Sequence, residues 1–193
     1  MAKFFGNLHL VLAVGLIAAI AVMFHYGADV SVTTNAVFRW LHVFFGILWI
    51  GLLYYLNFVQ VPTMPSVPAE LKKGITGYIA PKVFFFFRYA ALLTVITGLV
   101  IAQVSGYLHR AMAFQGANAH ENLIGLGMWL ALIMAFNVWF IIWPAQKKIL
   151  NLGATEASAE EKAAAAPRAL AASRTNLLLS LPMLYAMVSA NLG

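Results

Sequence analysis

Five times in 193 residues this chain runs through an apolar stretch close to the roughly 20 residues a helix needs to cross a bilayer. The stretches are Leu8–Tyr26, Val37–Val59, Val83–Tyr107, Asn122–Trp143 and Asn176–Ala190. They are continuous rather than alternating, so they predict α-helices and not barrel strands. The chain is 63% hydrophobic and 9% charged, with a mean hydropathy of +0.85, more apolar material than a soluble core of this size can bury. The expected fold is all-α: an integral membrane bundle of about five transmembrane helices, forming a single domain over residues 1–193.

The net charge is +6 and the pI about 9.7. In a membrane protein such charge marks the cytoplasmic loops and does not call for nucleic acid. With the N-terminus inside, Lys3, Lys72, Lys73, Lys82, Lys147, Lys148, Lys162, Arg168 and Arg174 all fall on the cytoplasmic side, and Arg39 and Arg110 outside. The expected arrangement is therefore N-in and C-out, multi-pass. The first stretch, with Lys3 before it and Ala19-Ile20-Ala21 near its end, has features of a signal peptide. Its apolar run is long for one, so it is expected to stay as an anchor. A short helix is expected at Pro68–Lys73. The alanine-rich segment before Arg174 should be helical but broken at Pro167.

The chain has no cysteine. Disulfides, iron–sulfur clusters, thiolate zinc sites and covalently attached c-type haem are thereby excluded. The five histidines are His9, His25, His42, His109 and His120. Threaded through the expected topology, all but His9 fall toward the outer side. His42 is the most informative, because an apolar run follows it and an ionisable residue inside a membrane usually faces a partner. It lies on a stripe with Arg39, Gly46, Trp49, Leu53, Asn57 and Gln60, at spacings of three and four residues, which should face the bundle. Gly46 leaves a slot for something flat. A porphyrin fits this pattern, with an imidazole on iron and Arg39 pairing a propionate. His120 and His109 are the candidates for a second ligand, with Gly125 and Gly127 giving space below His120, and His25 is the outsider. The same imidazoles suit copper or zinc. Asn118 and Glu121 around His120 also read as a helix capping box.

Three motifs, RWLHVFFGILWIGLLYY, NVWFIIWPAQKKIL and RTNLLLSLPMLYAMVSANLG, resemble the membrane domain of the bacterial membrane-bound urate oxidase (urate hydroxylase) family. The resemblance runs from about Val37 to the C-terminus. The first motif is similar, less closely, to haem-binding membrane protoporphyrinogen oxidases and copper-resistance membrane proteins. The resemblance implies a haem b at His42, a membrane oxidoreductase activity and a place in a bacterial inner membrane; the alternative is a copper-handling protein that binds the metal through the outer histidines His42, His120, His109 and His25. Longer members of the family carry a C-terminal cytochrome c. In this cysteine-free chain the expected partner is a separate cytochrome c or a larger membrane complex, alongside membrane lipid and further copies of the chain. A cofactor-free accessory subunit is the remaining reading.

Overall fold

The computed structural model describes residues 2–26, 34–153 and 156–190. Most of the expected outer loop Gly27–Asn35 lies outside the described residues. Six helices carry the architecture: α1 (Leu8–Tyr26), α2 (Thr34–Tyr54), α3 (Ala80–Val104), the short α4 (Leu108–Met112), α5 (Ala119–Phe136) and α6 (Ala159–Ser189). Shorter helical turns fill the connections, among them Ala69–Gly74, close to the helix expected at Pro68–Lys73. No strand occurs among the described residues.

The chain groups into two compact units, Met1–Val37 and Phe38–Gly193. In the first, the Asn7 side chain accepts from the Leu10 backbone N–H at 3.1 Å at the start of α1. The helix then exposes apolar side chains all round, including Leu12, Ile17, Val22 and Phe24. That surface suits lipid and not water.

In the second unit, helix ends follow local chemistry. Pro81 sits in the first turn of α3, where its missing N–H removes no helical bond. At the other end Gly106 takes φ +74°, Gly106 N–H bonds Gln103 O and Tyr107 N–H bonds Ala102 O. This is a Schellman stop, which turns the chain and brings Tyr107 back over the end of α3. Ser158 and Glu161 form a reciprocal capping box at the start of α6.

Three π-helical stretches, Tyr55–Gln60, Ile75–Ile79 and Asn137–Ile142, each end two residues before a proline: Pro62, Pro81 and Pro144. A proline ring crowds the carbonyl four residues back and donates no bond. Moving the preceding bonds to five-residue spacing, as in Val61 N–H to Leu56 O, opens the helix just ahead of that crowding.

Those wider turns hold buried amides. Asn57 donates to Leu53 O and to Ser173 Oγ of α6, both at 2.9 Å. Asn137 donates to Asn176 Oδ1 at 3.0 Å, and Asn176 donates to Met134 O at 3.0 Å. Tyr54 and Ser180 hydroxyls meet at 3.2 Å. Ser173, Asn176 and Ser180 thus form a polar seam on the inner face of α6, between apolar residues of the main core such as Trp49, Leu53, Phe87 and Met134.

Among the described residues four helical runs, against the about five expected, are long and apolar enough to cross a membrane: Leu8–His25, Thr34–Ser66, Ala69–Val104 and Ala119–Ile149. The fifth apolar stretch is only the C-terminal half of α6, whose first half carries Glu160, Glu161, Lys162 and Arg168. Contrary to expectation, Pro167 does not break that helix, which runs through both Pro167 and Pro182. Ala165 and Ala169 pack beside Ala145 on the α-helical extension Trp143–Ile149 of α5, and this burial outweighs the local penalty of the proline.

Replacing Asn176 by Ala should lower stability by about 1–3 kcal/mol, because Asn137 loses its acceptor in a buried site. The double variant Asn137→Leu/Asn176→Leu should lose less than the sum of the two single changes. Thermal unfolding in detergent reads both. A pH effect is expected at the start of α6. Lys148, at 2.8 Å, and then the Ser158 N–H hold the Glu161 carboxyl below the usual carboxylate range. Its contribution is present above the unfolded pKa and is lost as pH falls through the lower folded value. The melting temperature of the wild type should converge on that of Glu161→Gln as pH falls through the carboxylate range and below it.

Candidate functional site

The stripe on α2 faces inward. Trp49 and Leu53 are buried, as is Asn57 in the π-helical turn beyond, while Val43, Phe44, Ile47 and Phe58 on the other face are exposed. This inward face meets α3 at a run of small and polar residues, Thr94, Thr97 and Gly98.

His42 is held there. Its Nδ1 lies 2.9 Å from the Thr94 carbonyl and 3.3 Å from Thr97 Oγ1. A carbonyl can only accept, so Nδ1 carries the proton and donates. In the neutral ring Nε2 then keeps its lone pair, the arrangement that metal-binding histidines use. The ring lies against Gly98: a Cβ at that position would stand 2.9 Å from His42 Cε1 and 3.2 Å from Nδ1. Gly98 therefore lets the imidazole lie flat on α3. Gly46, which the sequence pointed to, is roomier, with Thr94 Cγ2 the nearest atom to its would-be Cβ at 3.9 Å.

Beside His42 lies a cavity of about 680 Å³. That volume is within the range of about 300–1,000 Å³ typical of sites for sizeable organic ligands. Helix α2 lines it with Arg39, His42, Gly46, Trp49 and Tyr54, and α3 with Thr94, Gly98 and Leu99. Tyr107 comes from the Schellman turn, Ile124, Met128 and Ala131 from α5, and Met183, Leu184 and Met187 from α6. Val43 and Ile47 of α2 and Val188 of α6 also line it and are strongly exposed, so it opens sideways between those two helices. Burial pushes the Tyr107 phenol up, against a smaller opposite pull from Arg39. Trp49 is 1% exposed and its indole N–H has no hydrogen-bond partner. A buried donor of that kind normally finds an acceptor.

The predicted residues divide. Arg39, His42, Gly46 and Trp49 come together on this cavity. His109 and His120 are exposed and line no part of it. They flank the ion pair of Arg110 and Glu121, at 2.8 Å and 3.0 Å, which ties α4 to the first turn of α5. Asn118 caps α5 by accepting from Glu121 N–H at 2.9 Å, but the Glu121 carboxylate turns to the Ala117 N–H and Arg110 instead of completing the capping box. Gly125 and Gly127 leave no ligand space below His120: the Ala111 carbonyl packs on the first, and Ala186 and Met187 on the second. His25 ends α1, in the other unit. Among the described residues no group of three or more His, Cys, Asp or Glu side chains could hold a metal ion.

Sequence reasoning missed Thr94, Thr97, Gly98, Tyr107 and Met183. The run Thr94-Val-Ile-Thr97-Gly98 inside an apolar helix was an available signal, since small and hydroxylated residues mark close helix contacts in membranes.

The family described as Urate oxidase N-terminal matches residues 83–193, more than half of the chain. The match includes NVWFIIWPAQKKIL and RTNLLLSLPMLYAMVSANLG and begins after the His42 helix. No curated protein and no solved structure matches.

Replacing Gly98 by Ala should push the His42 ring off α3 and lower stability by about 1–3 kcal/mol, the usual effect of overpacking. Gly51→Ala, where an added Cβ meets nothing within 4 Å, should be neutral or slightly stabilising. Melting curves of the two variants in detergent compare them directly, and equal curves would mean that the ring does not rest on Gly98.

Proposed function

Because the chain belongs to the urate oxidase N-terminal family, we propose that this membrane protein is a redox protein of the bacterial inner membrane that binds haem b. In this reading it passes electrons from urate or another small molecule to a separate cytochrome, with its N-terminus in the cytoplasm.

The observation that carries the reading is His42. One ring nitrogen is committed to the Thr94 carbonyl, and the other keeps its lone pair at the wall of a large apolar cavity. The residues fit the group. His42 Nε2 would ligate the iron, Arg39 would pair a propionate, and Gly46 and the aliphatic wall would lie beside the ring. When bound, haem supplies one-electron transfer.

The protein's own side chains do the rest. The Thr94 carbonyl fixes the tautomer and makes Nε2 a stronger donor. Gly98 sets the plane of the imidazole. The apolar side chains of α5 and α6 keep water from the ring, which strengthens every charge interaction at the rim.

The test is a visible spectrum of the detergent-purified protein before and after dithionite. A Soret band with sharp reduced α and β bands is expected, and His42→Ala should lose most of the haem. Full haem occupancy in that variant would end the ligand assignment. A colourless protein carrying copper would point to metal handling, and one carrying neither to an accessory subunit.

A further inference from the structure

We infer that the second axial ligand of a haem in this cavity is a thioether from the α5–α6 wall, supplied by Met128, Met183 or Met187, and not an imidazole. The inference rests on the haem reading above and deepens it.

The cavity's own inventory leads there. Among the described residues His42 is the only imidazole that lines it, and His109 and His120 lie exposed outside. The remaining Lewis bases on its wall are hydroxyls and thioethers. Thr94 Oγ1 donates to Ala90 O at 2.7 Å. Ser180 Oγ donates to Leu177 O, so Tyr54 gives its hydroxyl hydrogen to Ser180. Tyr107 would have to lose its proton and carry a charge into the apolar site to bind iron, which a thioether does not. Three methionines are left.

Their placement suits the task. Met128 comes from α5 and Met183 and Met187 from α6, whereas His42 comes from α2 and rests on α3. Met183 shares a core cluster with Trp49, one of the residues of the His42 stripe. Met128 packs with Ala102 and Ala111 near the Tyr107 end, and Met187 packs against Gly127. Each has three rotatable bonds and a soft, neutral sulfur. A neutral ligand needs neither a proton lost nor a counter-ion in an apolar site. Imidazole with thioether is an established axial pair, and it raises the reduction potential above that of two imidazoles.

Selenomethionine labelling tests the chemistry without a mutation. In the ferric protein the long-wavelength charge-transfer band of thioether-ligated haem is expected, and it should shift on selenium incorporation. Met128→Leu, Met183→Leu and Met187→Leu conserve volume, so folding should survive. One of the three should abolish the band and lower the reduction potential while haem stays bound through His42. A wild-type protein without haem overturns the reading on which this inference rests. Bound haem that lacks the band, keeps it in all three variants, or loses it in His109→Ala or His120→Ala overturns the inference alone.

Discussion

Inside hydrocarbon a polar group has no water to turn to, and the second unit is organised around that fact. Its buried amides and hydroxyls pair across helices: Asn57 with Ser173, Asn137 with Asn176, Tyr54 with Ser180. These bonds sit where α2, α5 and α6 converge, and they set how those helices register. The π-helical turns before Pro62 and Pro144 carry Asn57 and Asn137 at that junction. Proline, wider turn and buried amide therefore belong to one local solution.

Toward the other end of α2 the same rule leaves a different result. His42 satisfies one nitrogen on the Thr94 carbonyl, and Trp49 satisfies nothing. Around them glycine, aliphatic and thioether side chains make up most of a cavity wall that Arg39, Tyr54, Thr94 and Tyr107 complete. Buried Asn57 Oδ1 and Gln60 Oε1 also lack partners at the first end, so what sets the His42 end apart is the cavity beside its imidazole. The family to which the chain belongs is matched over residues 83–193, which include the α3, α5 and α6 walls of that cavity.

Much of the fold was legible in the sequence, and the reasons are local. Apolar run length gave the helical membrane character, and the three- and four-residue spacing on α2 gave its inward face. What failed were rules that a neighbour can override. Pro167 is a helix breaker by itself, yet α6 passes through it because Ala165 and Ala169 are buried. Gly125 and Gly127 looked like ligand space, but the α4 backbone and α6 fill it. The surface position of His109 and His120 is likewise set by packing and not by where the threaded helices end.

The sequence by itself determined that this chain is helical, that it lives in a membrane, and that Arg39, His42, Gly46 and Trp49 share a face. Each follows from composition or period, which are properties of a stretch of chain. Only the tertiary structure decided which nitrogen of His42 is committed, that Gly98 and not Gly46 bears its ring, and that methionines line the cavity. Those depend on residues 52 to 56 positions away in the chain, or further, brought to the same depth by helix packing, and no local pattern records that depth.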